Sequence, residues 1–120
     1  ANVLLKNLFV KYPLHICNEQ IYYKNENLHN NFSTTQNLIL IGLLKTFPDV
    51  ALYENVYKQI MNNPFYDKDV DNYSLYSIAK HISRLRKRLN KLEIDDVKII
   101  TVSKKGFRLE MNSLNDDIDN

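Results

Sequence analysis

The 120-residue chain has one cysteine, two glycines, three prolines and no tryptophan. A lone cysteine, Cys17, excludes an internal disulfide and a cysteine-based zinc site, and it fits a reducing compartment. Two isolated glycines cannot build a loop that cradles phosphate. The three histidines, His15, His29 and His81, do not cluster at metal-ligand spacing. No Ser/His/Asp or Cys/His constellation stands out, so an enzyme, a bound metal and a cofactor are all unexpected. No run approaches the 18 apolar residues of a membrane span. The longest stretch, residues 38–44, is interrupted by Gly42. A secretory leader pattern is missing too, so a cytoplasmic location without membrane contact is expected. There is no internal repeat. A length of 120 residues with 44% hydrophobic content suits one domain with a modest core.

What the chain does have is positive charge gathered in one region. Its only arginines are Arg84, Arg86, Arg88 and Arg108. Residues 80–91 carry six Lys/Arg and no Asp/Glu, and residues 80–108 carry a net charge of +7. Residues 1–79 sum to −1 and the tail from Leu109 to −4, so the overall +2 hides a concentrated cationic segment. Such a footprint suits a polyanion, and nucleic acid is the first candidate.

Residues 3–10 and 14–23 are rich in β-branched and aromatic residues and read as short strands broken by Pro13. Lys24-Asn25-Glu26-Asn27 signals a turn, and a further short strand over 26–29 would complete a small antiparallel sheet. Ser33 followed by Gln36 is a capping box, with Phe32 in the staple position, so a helix should run from there to about Thr46. A second helix is expected over about 52–61, with Leu52, Val56 and Ile60 recurring every fourth residue and Tyr53 and Tyr57 beside them. Residues 62–72 read as a polar, aromatic loop with an acidic patch, Asp67, Asp69 and Asp71. That patch lacks the glycine of a calcium loop, so it reads as a solvated or protein-contacting segment.

The third helix is the clearest. Leu75, Ile78, Ile82, Leu85, Leu89 and Leu92 form one apolar stripe. Lys80, Arg84, Lys87 and Lys91 fall near the opposite side, with Tyr76 and Ser83 adjoining. Arg88 and His81 flank the stripe on one side and Arg86 on the other. The stripe is too short for a coiled-coil seam and reads as a core face. Residues 97–102 and 107–111 then form a hairpin around the turn Ser103-Lys104-Lys105-Gly106. A cationic helix beside a cationic hairpin matches duplex geometry, since a helix fits the major groove and a thin basic tip reaches the adjacent minor groove.

Residues 74–89, SLYSIAKHISRLRKRL, with 99–109, IITVSKKGFRL, resemble the winged-helix DNA-binding domain of OmpR/PhoB-type regulators. Residues 32–60 are similar to that family's first two helices, and the likeness covers roughly residues 14–111. Ser74-Leu75 and Lys104-Lys105-Gly106-Phe107 look closest to the ToxR-like branch, whose members are often one-component activators tethered to the inner membrane. The resemblance implies an α+β winged helix-turn-helix over residues 1–111. Its N-terminal antiparallel sheet would span 1–31, its three-helix core 32–92 and its C-terminal hairpin wing 97–111. An acidic, flexible tail would occupy 112–120. It also implies that this is one domain of a longer bacterial protein, carrying either a receiver domain or a membrane tether elsewhere.

The resemblance further implies roles. Arg84 would read base edges in the major groove, with Lys80, Ser83 and Lys87 nearby. Tyr76, His81 and Arg86 fall where relatives contact or approach phosphates, and Lys104 and Lys105 occupy the wing tip. With Arg88, Lys91 and Arg108 from the basic segments, these form the expected DNA-binding set. The loop over 62–73 matches one that touches RNA polymerase in relatives, and binding as a dimer or in tandem is expected. Ser83 and Tyr53 depart from the pattern, because relatives often carry a cation at each. Phe107 replaces the usual tyrosine. Those departures favour an alternative in which the fold is kept as a protein-interaction module for a partner regulator or polymerase, with DNA affinity secondary.

Overall fold

The apolar stripe decides how the third helix sits. The computed structural model describes residues 11–62 and 75–114. In it, helix α3 spans Leu75–Lys91, and Ile78, Ile82, Leu85 and Leu89 are all buried along one side. Both ends of the expected stripe fall away from it. Leu75 is 54% exposed at the first turn. Leu92 lies one residue past the helix end and is only partly covered.

Helix α1 (Thr34–Thr46) starts as its sequence dictates. The Ser33 hydroxyl accepts from the Gln36 N–H, and the Gln36 side chain accepts from the Ser33 N–H, which satisfies two donors that helix geometry leaves open. The staple is not formed in its usual way. The residue facing Phe32 at the fourth helical position is Asn37, whose buried amide donates instead to the His29 and Phe32 carbonyls. The helix stops before Phe47, whose ψ of 136° is extended, because the ring of Pro48 disfavours a helical residue ahead of it. Helix α2 (Tyr53–Met61) buries Val56 and Ile60. Leu52 does not join them. It caps the helix and stands 48% exposed.

The segment 14–23, expected as one strand, is a hairpin of two: β1 (Leu14–Cys17) and β2 (Gln20–Tyr23), antiparallel with Cys17 opposite Gln20. Asn18 and Glu19 turn the chain at φ 54° and 59°, the left-handed pair that a two-residue hairpin loop needs. A third strand, β3 (Glu26–Asn27), pairs with β2, and a short 3-10 turn follows at His29–Asn31. The second sheet has the order β4 (Ala51–Leu52), β6 (Gly106–Glu110), β5 (Lys98–Val102). Strand β4 was not foreseen. It is two residues long and pairs across more than fifty positions with β6.

Helix α1 packs on α2, on the first sheet and on β6, so it is the central element of the fold. Leu14, Ile21, Leu40, Ile60, Ile82, Leu85 and Leu109 meet in one continuous apolar core. The Tyr23 hydroxyl donates to the Asp96 carboxylate at 2.7 Å, joining the first sheet to the loop after α3. The start of the expected flexible tail is fastened, since the Leu114 N–H donates to the Lys11 carbonyl at 2.6 Å. The strand expected over 3–10, most of the 62–73 loop with its acidic patch, and residues 115–120 lie outside the described residues.

Candidate nucleic-acid interface

With its apolar stripe fixed against the core, α3 must present the other side outward. Arg84, Lys87, Arg88 and Lys91 are exposed there, Lys80 is half-buried, and Ser83 and Tyr76 adjoin them in the open. Tyr76 is 80% exposed. Among the described residues, no acidic side chain pairs with Lys80, Arg84, Lys87, Arg88 or Lys91; the ion pairs present involve Lys24, Lys45, Lys58 and Arg108. Among the described residues, the cationic face is therefore uncompensated. His81 is half-buried on the flank of the stripe.

The wing is the β5–β6 hairpin. At its tip the Lys105 N–H donates to the Val102 carbonyl at 3.0 Å, and Lys104 takes a left-handed φ of 65°. Both lysines are exposed. The base of the wing is held against α2. The Tyr53 N–H donates to the Lys105 carbonyl at 3.0 Å, and the Tyr53 ring meets Phe107 edge-on at 5.5 Å between centroids. Gly106 is required there, since a Cβ would collide with the Ala51 carbonyl across the β4–β6 pair. Tyr53, at a position where a cation was expected from the resemblance, thus packs the wing.

Two arginines of the expected set are engaged within the protein. Arg108 approaches Glu110 at 3.4 Å on the wing. The Arg86 guanidinium donates to the Ile99 carbonyl through Nε at 3.1 Å and Nη2 at 2.7 Å, and Nη2 also donates to the Thr101 hydroxyl at 2.9 Å. The structure thus brings Tyr76, Lys80, Ser83, Arg84, Lys87, Arg88 and Lys91 onto the outer side of α3 with Lys104 and Lys105 on the wing, and it sets Arg86 and Arg108 into the wing's own bonding. Sequence reasoning missed Thr101 and Tyr53 as parts of this assembly. A hydroxyl and an aromatic ring in apolar runs carry no signal of it.

Among the described residues, no group of three His, Cys, Asp or Glu side chains could hold a metal ion, and no helix is long and apolar enough to cross a membrane.

No protein-family model matches the chain, and no curated protein does. Among solved structures, the crystal structure of the DNA-binding domain of the response regulator AdeR, in complex with an intercistronic region, is similar to it. The TM-score is 0.62 at 21% sequence identity, covering 82% of this chain and 94% of that one. That likeness is of fold, which in this chain comprises three helices and two small antiparallel sheets, the second of them carrying the hairpin wing. The chain has an α+β winged-helix fold similar to that of the AdeR DNA-binding domain.

Proposed function

We propose that this domain binds double-stranded promoter DNA as part of a sequence-specific transcription regulator. The observation that carries the reading is the cationic side of α3, uncompensated among the described residues, held by a buried stripe and set beside a wing tipped with two lysines. Helix α3 enters the major groove. Arg84, near the middle of its exposed side, reads base edges, because its planar fork can pair with guanine O6 and N7. Lys80, Lys87, Arg88 and Lys91 contact phosphates on either side, and Lys104 and Lys105 reach the adjacent minor groove. The neighbour's DNA-bound state supports the coarser part of this reading. The motif likeness supports a ToxR-like activator of bacterial origin acting in the cytoplasm as a dimer or on tandem sites, with the loop over 62–73 facing RNA polymerase.

A second reading keeps the fold as an interaction module for a partner regulator or polymerase. The observation favouring it is that Tyr53, Arg86 and Arg108 are used inside the protein, which lowers the number of free phosphate contacts. Selection from a random duplex library, followed by hydroxyl-radical footprinting on the winner, separates the two. The DNA reading expects an enriched motif with protection of one major groove and its flanking minor groove. No enriched motif, with binding that strengthens only when a second protein is added, would support the interaction module.

A further inference from the structure

We propose that Arg86 acts on DNA through the wing: it is the positioning residue that fixes the β5–β6 hairpin relative to α3. The inference rests on the DNA-binding reading above and assigns to Arg86 a role different from a direct phosphate contact.

The helix itself points Arg86 sideways. At 100° per residue, Arg86 lies about 70° from the centre of the buried stripe and about 130° from the centre of the side formed by Lys80, Arg84, Lys87 and Lys91. It therefore leaves α3 along the flank that meets β5. Among the described residues, that strand is an edge strand with β6 as its one neighbour. An edge strand carries backbone groups without a strand partner. Arg86 supplies a partner: two of its nitrogens converge on the Ile99 carbonyl, and Nη2 reaches on to the Thr101 hydroxyl two residues further along the strand. Bonds from a charged, planar donor are stronger and more directional than neutral ones.

The opposite edge of the hairpin is held separately. There β4 pairs with β6, the Tyr53 N–H bonds the Lys105 carbonyl, and the Tyr53 ring backs Phe107. The wing is thus gripped from both sides, and Arg86 is the grip that comes from the recognition helix. Loss of it leaves the hairpin tied to α2 through β6 and packed on α3 through the shared apolar core, but without a directional bond that indexes it to α3. The wing lysines would then search a range of positions while α3 sits in the groove, and their contacts would form at a greater entropic cost.

The test uses fluorescence anisotropy on the duplex that the wild-type protein selects from a random library. The variants are Arg86→Ala, Arg86→Lys, Thr101→Val, Lys104→Ala with Lys105→Ala, and Arg86→Ala in that double background. Urea titration confirms that each is folded. Positioning predicts that Arg86→Ala weakens binding about tenfold in the intact wing and less than about twofold once the wing lysines are gone. It predicts that Arg86→Lys rescues little, since an ammonium on a flexible stem lacks the planar fork whose Nε and Nη2 converge on the Ile99 carbonyl, and that Thr101→Val reproduces part of the loss without removing any charge. Amide exchange in the free protein should also accelerate at β5 in Arg86→Ala.

A direct phosphate contact predicts otherwise: the same loss in both backgrounds, a salt slope lower by about 0.9, and substantial rescue by lysine. That pattern, or unchanged exchange at β5, would overturn the proposal while leaving the DNA reading intact. Failure of the wild-type protein to bind any duplex would instead overturn the DNA reading and this proposal with it.

Discussion

Arg84 and Leu85 are neighbours in the chain, one exposed and one buried, which allows one helix to test fold and function separately. Leu85 is fully buried at the middle of α3. Leu85→Ala removes three buried carbons, worth about 0.8 kcal/mol each by transfer. The cavity left behind raises the total to about 2.7–5 kcal/mol where the core cannot collapse. Leu85 lies between Ile82 and Leu89 on a helix packed against other elements, so the upper half of that range is expected. Against a total stability of roughly 5–15 kcal/mol for a domain of this size, such a loss is large. With a urea slope of about 1.5 kcal/mol/M, the midpoint should fall by about 2.5–3.3 M.

Arg84→Ala removes an exposed side chain without an ion-pair partner among the described residues, so its midpoint should stay within about 0.5 kcal/mol of wild type. Its cost should appear in DNA affinity, at about 1–3 kcal/mol, or roughly 5- to 150-fold. Urea unfolding followed by circular dichroism, with anisotropy on the selected duplex, reads both quantities. An Arg84→Ala protein that unfolds as easily as Leu85→Ala would refute the assignment of the two faces. Retention of full, sequence-specific affinity by Arg84→Ala would refute the role given to that side chain.

Other consequences are as concrete. Gly106→Ala should cost more than about 2 kcal/mol in urea unfolding, because the added methyl meets backbone at Ala51 rather than a side chain that can move. Lys104→Gly should raise stability by about 0.5–1 kcal/mol by relieving the left-handed conformation at φ 65°, while lowering the salt slope of DNA binding by about 0.9. Burial lowers the pKa of His15 below its ordinary 6.5, so its neutral form belongs to the folded state. Its contribution to stability should be complete above pH 6.5 and decline as pH falls from there toward the lowered folded value, and His15→Gln should flatten that decline in a pH series of urea midpoints.

The parts of the fold that were legible in the sequence are those encoded over a few residues. The 3–4 spacing of Ile78, Ile82, Leu85 and Leu89 is a local pattern, and so is the reciprocal cap of Ser33 and Gln36; both formed as read. The Asn18-Glu19 turn was hidden because it contains no glycine and is embedded in a run of strand-forming residues, so two strands looked like one. Strand β4 was illegible for a different reason. Ala51 and Leu52 become a strand only because β6 returns to pair with them, and the sequence around them carries no period of two. The cationic side of α3 was visible as charge at helical spacing. Within that same basic run, helical spacing sets Arg86 on the flank and Arg84 on the outer side, but it does not reveal what Arg86 bonds. Its partner is the Ile99 carbonyl, thirteen residues away in sequence and brought alongside by the fold. Tyr53 shows the converse, a departure from the expected cation that makes sense once its ring is seen against Phe107.

The central claim is that the exposed side of α3 and the wing tip together read duplex DNA. The most direct test is anisotropy of the wild-type domain on its selected duplex and on a scrambled one, across a salt series. Lys80, Lys87, Arg88, Lys91, Lys104 and Lys105 are six cations available for phosphates, so log K should fall against log salt with a slope of about −5, with a clear preference for the selected sequence at every salt. A shallow slope with equal, weak binding to both duplexes would contradict the account.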